Sequence, residues 1–136
     1  MRHSKIEQYI IDHSIDAYFK QLEVFTSNIL YEGEDRLDIT VKSGIREFAP
    51  TWDLVNDYRT ERITQNDFIS QYIRMLNVSY IENREAWDSL LAKARVTLVC
   101  YCDPDVFCHR QILAEYLQQR FKARYTGEIV GDYVVF

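Results

Sequence analysis

The sequence predicts an α/β domain built on a mostly parallel sheet, and three observations carry that expectation. Val96–Cys102 (VTLVCYC) is almost continuously apolar, the signature of a strand buried on both faces. After the Asp103-Pro104-Asp105 turn, His109–Phe121 places Ile112, Leu113, Tyr116 and Leu117 on one helical face. Strand, loop and helix together make half of a βαβ unit. The chain has 136 residues, 47% of them hydrophobic and 27% charged, enough for one sizeable core and unlike a disordered composition.

The remaining elements follow in order. Residues 4–22 read as a helical extension, with Ser4 as a cap, Ile6, Tyr9, Ile10, Ile15, Phe19 and Leu22 at helical spacing, and a break near Asp12–Ser14. Glu23–Leu30 (EVFTSNIL) has strand composition and ends near a turn at Gly33. Leu37–Lys42 (LDITVK) alternates strictly, which predicts a strand with Leu37, Ile39 and Val41 on one face and Asp38, Thr40 and Lys42 on the other. Past the loop bracketed by Gly44 and Pro50, Thr51–Tyr58 suits a short helix. Thr64 with Asp67 then forms a capping-box signature ahead of Phe68, Ile69, Tyr72, Ile73 and Leu76. Glu82–Ala94 predicts another helix burying Trp87, Leu90 and Leu91, and Ile129–Phe136 (IVGDYVVF) a final strand closing the sheet. No repeat or linker divides the chain, so residues 1–136 are expected to form a single domain, a core at 23–136 with a helical extension at 1–22.

Charge and cysteine usage bound the function. Acids outnumber bases by 21 to 16, a net charge of −5, whereas non-specific nucleic-acid binders carry a basic excess. The start, Met1-Arg2-His3-Ser4 leading into Lys5 and Glu7, lacks a leader's apolar stretch, and no run is long enough to cross a bilayer. All three cysteines lie between Cys100 and Cys108. Their odd number leaves no complete disulfide framework, which points to a reducing cytoplasm and to a local role.

The chemistry concentrates at the strand end. Open α/β sheets bind ligands where strand carboxyl ends meet helix N-termini, and Cys102, Asp103, Asp105, Cys108, His109 and Arg110 fall there. A helix N-terminus favours anions; Arg110 in its first turn opposes the helix dipole, which implies a bound anion or a carboxylate partner. The same field favours a Cys108 thiolate, so Cys108 and His109 are candidate catalytic residues. Neighbours at a helix start are nevertheless expected to point apart, and buried cysteines are commonly simple core. Zinc binding by Cys100, Cys102, Cys108 and His109 is a second reading, although the spacing is not that of a zinc finger or ribbon. A phosphatase-type cradle is disfavoured, because seven residues rather than five separate Cys102 from Arg110.

The run Val96–Leu117 (VTLVCYCDPDVFCHRQILAEYL) resembles the central motif of the domain-of-unknown-function 488 family: an apolar strand, a Cys, a short loop, and Cys-His-Arg opening a helix. Leu37–Val55 (LDITVKSGIREFAPTWDLV) and Tyr125–Ile129 (YTGEI) agree with it. The resemblance spans roughly residues 23–130, leaves the first 22 outside, and looks like a branch met in bacterial viruses and mobile elements. It implies a Rossmann-like three-layer domain. Cys100, Cys108, His109 and Arg110 match its motif; in many members the position of Cys102 is acidic, so a four-ligand metal site would not be general.

Taken together, these segments predict one pocket. Lys42 and Arg110 would hold an anionic group, and Thr26, Ser27, Asp38 and Thr40 would bind hydroxyls or amides. Tyr125 and Glu128 would supply a lid or an acid/base group. The ligand expected is a nucleotide-like or phosphate-bearing small molecule, bound with or without catalysis by Cys108 and His109. No cofactor is required unless zinc occupies the cysteine cluster. The contrasting expectation is a non-enzymatic module that acts through a protein partner, its cysteines holding zinc or merely packing.

Overall fold

The computed structural model describes residues 21–101 and 108–136. Strand β1 (Glu23–Asn28) runs through a turn into β2 (Arg36–Asp38). Helices α1 (Trp52–Arg59), α2 (Gln65–Glu82) and α3 (Arg84–Leu91) lead to β3 (Arg95–Cys100). Helix α4 (His109–Phe121) then connects to β4 (Arg124–Val130) and β5 (Tyr133–Val135). The sheet order is β2-β3-β1-β4-β5. Its first four strands are parallel and β5 is antiparallel to β4, so the sheet is mixed but mostly parallel. This α/β architecture is consistent with a Rossmann-like arrangement.

Local chemistry explains the elements that position the site. Thr51 caps α1 by accepting from the Leu54 N–H, and Thr64 and Asp67 close a reciprocal capping box on α2. The expected helix over Glu82–Ala94 is shorter and separate: Asn83 leaves helical geometry between α2 and α3. The described helices share one core with the strands. Leu54, Phe68, Tyr72, Leu76, Trp87, Leu90, Leu113 and Leu117 pack with Val24, Leu37, Val96 and Leu98. Trp87 is the largest side chain in this core. Its ring meets Phe48, Tyr80 and Tyr116 edge-on, and its Nε1–H donates to Ser79 Oγ at 3.0 Å.

The opposite sheet face is buried too, at Phe25, Thr97 and Val99. The β1–β2 connection is tied to β3 there. Thr97 N–H donates to the Asp35 carbonyl at 2.8 Å, Thr97 Oγ1 to the Asp35 carboxylate at 2.5 Å, and Arg95 Nε to the same carboxylate at 2.9 Å. Burial pushes the Asp35 carboxyl up, but donors from Thr97, Tyr31 and Arg95 outweigh it and hold the group below its ordinary value. Among the described residues the helices contribute to one core cluster. The segment expected to form the N-terminal helical extension lies outside the described residues up to residue 20; of its predicted apolar set, Leu22 is buried in the core.

Two strand expectations are corrected. LDITVK does not continue as a strand, because β2 stops at Asp38. The Asp38 carboxylate accepts from Thr40 N–H at 2.9 Å and Ser43 Oγ at 2.6 Å, while Gly44 N–H returns to the Thr40 carbonyl at 3.0 Å. These side-chain bonds give the backbone an alternative to the sheet ladder and turn it inward. Gly44 is needed in that turn, since a Cβ there would collide with the Thr40 backbone and the Asp38 carbonyl. Asp38, Thr40 and Lys42 therefore do not share a strand face. IVGDYVVF is likewise the end of β4, a turn at Gly131 (φ +60°) and Asp132, and then β5.

Replacing Trp87 with Ala should cost about 3–5 kcal/mol, as large aromatic deletions in packed cores do. Urea denaturation measures this, and an unchanged midpoint would show that the ring cluster does not organise the helical layer.

Candidate functional site

The site grows from the start of α4. Cys108 is the N-cap, with extended backbone (φ −149°, ψ 161°), and its N–H donates to Gln111 Oε1 at 2.8 Å. That extended conformation corrects the expectation that Cys108 and His109 diverge. Only His109 has entered the helix, so the preceding side chain turns back and Cys108 Sγ lies 3.5 Å from His109 Nδ1. On the other edge of the ring, His109 Nε2 meets the Ile39 carbonyl at 2.7 Å. A carbonyl only accepts, so Nε2 carries the proton and Nδ1 presents a lone pair to the sulfur when the ring is neutral. Burial lowers the His109 pKa to about 4. The Ile39 carbonyl opposes the shift, and the nearby Arg110 charge adds to it.

Cys100, at the end of β3, brings its sulfur beside that of Cys108, with the two Cα atoms 7.7 Å apart. Both sulfurs and a His109 ring nitrogen lie within 4.8 Å of one another, and all three residues are buried. Cys102, the fourth member of the expected zinc set, lies outside the described residues.

Behind this cluster sits Arg110, whose side chain is fully buried. Its Nε and Nη2 donate to the two Glu128 carboxylate oxygens at 3.1 and 2.9 Å, and its Nη1 donates to Cys100 Sγ at 2.8 Å. Glu128 is the carboxylate partner implied by a cation at a helix N-terminus. It reaches this position because β4 runs beside β1, with Glu128 opposite Thr26. Thr26 Oγ1 in turn shares a 2.7 Å hydrogen bond with Tyr125 Oη. Burial raises the Tyr125 phenol pKa, with the Thr26 bond opposing.

In front lies a cavity of about 490 Å³. Its polar lining includes Thr40, Lys42, Arg59, Tyr101, Cys108 and His109, and its aromatic walls are Trp52, Tyr58, Phe68 and Tyr101. Among the described residues the lining contains two cations, Lys42 and Arg59, and no carboxylate. Of the residues expected from sequence, Thr40, Lys42, Cys108 and His109 meet at this cavity. Thr26, Arg110, Tyr125 and Glu128 instead form the polar network behind it. Asp38 holds the Thr40–Ser43 turn, and Ser27 Oγ donates to the Ile129 carbonyl at 2.7 Å. Sequence reading missed Trp52, Tyr58, Arg59 and Tyr101. One signal was present: Trp52, Val55 and Arg59 recur at helical spacing, giving α1 a face that joins apolar and cationic groups. Phe68 was expected only as core.

The His109 environment predicts an acid-sensitive fold. An unfolded His titrates near 6.5 and the folded one near 4, so the unfolded chain binds the extra proton first. Stability should therefore be full above about pH 6.5, decline as pH falls below it, and stop losing this contribution below about pH 4. Thermal unfolding across that range should show the decline, and His109→Gln should flatten it. An identical pH profile in the variant would assign the acid sensitivity elsewhere.

No curated protein and no solved structure matches the chain. Residues 13–121 match the family model DUF488-N3a, described as the active DUF488-N3 subclade. The match begins earlier than the resemblance drawn at residue 23, and it ends before the Tyr125–Ile129 segment. It covers most of the 136 residues, including the entire Cys100, Cys108, His109 and Arg110 cluster. The chain therefore belongs to the DUF488 family, within its DUF488-N3a subclade.

Proposed function

We propose that the cavity binds a nucleotide-like, phosphate-bearing small molecule, and that Cys108 and His109 at its floor act on that molecule. The observation that carries this reading is the lining itself: among the described residues, Lys42 and Arg59 without a carboxylate, together with the rings of Trp52, Tyr58 and Tyr101. Cations unopposed by acids select an anion, and aromatic walls select a planar ring. A mostly apolar pocket with a few convergent polar groups is also the usual form of a small-molecule site.

Chemically, Cys108 is the group able to attack, and as a reduced thiol it would face the Nδ1 lone pair of His109. The depressed basicity of His109 makes it a weak base, so its role is to accept the Cys108 S–H hydrogen bond at Nδ1 and orient the sulfur. Arg110 acts from behind, as a positioning residue on Cys100, and Glu128 fixes Arg110. Thr40 joins Lys42 at the ligand, while Thr26, Ser27, Asp38 and Tyr125 support the wall. The description of the subclade as active supports an enzymatic reading. No helix among the described residues is long and apolar enough to cross a membrane. A reducing cytoplasm would suit a site that works through a thiol.

Thermal-shift titration of the reduced protein with adenosine monophosphate and with inorganic phosphate tests the reading. Lys42→Ala and Arg59→Ala should each weaken binding by roughly ten- to a hundredfold, the value of one charge-assisted hydrogen bond, about 1.5–3 kcal/mol. Binding that survives both substitutions would place the anion site elsewhere.

A second reading rests on the Cys100, Cys108 and His109 grouping. Two thiolates and one imidazole are a donor set that zinc accepts, with a further coordination position left for solvent or ligand. The His109 Nε2 bond to the Ile39 carbonyl is the outer contact that orients ligating histidines. Protein purified without chelator should then carry close to one zinc per chain, lost in Cys100→Ser; metal-free protein with three titratable thiols would exclude it.

A further inference from the structure

We propose that Cys100 and Cys108 are a reversible redox pair reached through the cavity, in which Cys108 exchanges with small thiols and Cys100 is the leaving and resolving sulfur. The inference does not depend on what else the cavity binds. It rests on three independent placements. The two sulfurs lie side by side across the gap between the end of β3 and the start of α4. Their Cα atoms are 7.7 Å apart, about 1 Å beyond the usual disulfide span, so closing the bond draws the two elements together. Only one of them, Cys108, lines the cavity, while Cys100 is 1% exposed. And Arg110 Nη1 donates to Cys100 Sγ at 2.8 Å, a charged donor against an atom that accepts strongly only as a thiolate.

These placements make the pair asymmetric, and exchange chemistry turns asymmetry into direction. A small thiolate enters through the cavity and attacks Cys108 Sγ. A new bond forms between the two sulfurs as the Cys100–Cys108 bond breaks, and its electron pair leaves on Cys100 as a thiolate held by Arg110. The incoming thiolate reaches Cys108 and not the buried Cys100, so Cys100 is the sulfur that leaves, and the guanidinium contact stabilises the thiolate it becomes. A second small thiolate then attacks the small-molecule sulfur of the mixed disulfide, releasing Cys108. Two small thiols are oxidised to one small disulfide and the protein pair gains two electrons. One thiol proton ends on Cys108 and the other in solvent. In reverse, Cys108 attacks a small disulfide such as oxidised glutathione, and Cys100 resolves the mixed disulfide. Formation of the bond consumes the thiol at the cavity floor, so the redox state of the pair decides whether that group is available.

Equilibration of the full chain in glutathione buffers of graded ratio, then alkylation in denaturant and mass spectrometry, tests this. At the oxidising end one cysteine, Cys102, should alkylate and a Cys100–Cys108 linkage should appear. At the reducing end all three should alkylate. A linkage to Cys102, or no change across the series, would overturn the pair. Direction is read from single variants: Cys100→Ser should accumulate glutathione on Cys108 at least tenfold faster than Cys108→Ser accumulates it on Cys100. The opposite ranking would reverse the assigned roles. Should either variant fold poorly, the unmodified chain still reports the linkage. Because no nucleotide is present, a failed ligand screen and a failed redox titration remain distinct results.

Discussion

The ion pair between Arg110 and Glu128 is the interaction on which the arrangement of the site depends. It joins the first turn of α4 to β4 and, through the Sγ contact, to the end of β3. A cation in the first turn of a helix works against the helix dipole, and a fully buried guanidinium pays a large desolvation cost. The bidentate carboxylate offsets both. Such a pair adds little net stability compared with apolar residues of similar size, yet removing one partner typically costs about 3–5 kcal/mol because the other charge is left buried. Its value here is positional: it sets where Cys100 and the N-cap Cys108 lie relative to each other.

From that anchor the site is layered. Thr26, Tyr125 and Glu128 form a polar network behind the cysteines, the Cys108 sulfur and the imidazole of His109 make the floor with Cys100 beneath them, and the cavity opens beyond. The Ile39 carbonyl that orients His109 belongs to the turn that also carries Thr40 and Lys42 to the cavity. The short turn after β2 thus serves two purposes, fixing the imidazole tautomer and supplying one of the two cations. Helix α1 supplies the other, Arg59, together with the Trp52 wall.

What could be read from sequence was what local pattern determines. The buried character of β3, the bounds of α4 and the capping box on α2 follow from apolar runs, helical spacing and cap chemistry, and all are present. LDITVK misled because its alternation is real, while Asp38, Thr40 and Ser43 offer the backbone competing hydrogen bonds that end the strand after three residues. The Cys108–His109 contact was hidden for a related reason: helix-start neighbours diverge only if both are helical, and Cys108 is not. The Arg110–Glu128 pair and the aromatic walls are long-range. Their partners meet because β4 lies beside β1 and α1 packs against α2, which periodicity along the chain does not encode.

A crystal structure of the reduced protein bound to a nucleoside monophosphate tests the layered arrangement most directly. The phosphate should lie within hydrogen-bonding distance of Lys42 and Arg59, the base against Trp52 or Tyr101, and Cys108 Sγ beside the ligand with Arg110 still paired to Glu128. A phosphate bound by Arg110 after that pair has broken, or a ligand held outside the cavity, would contradict it.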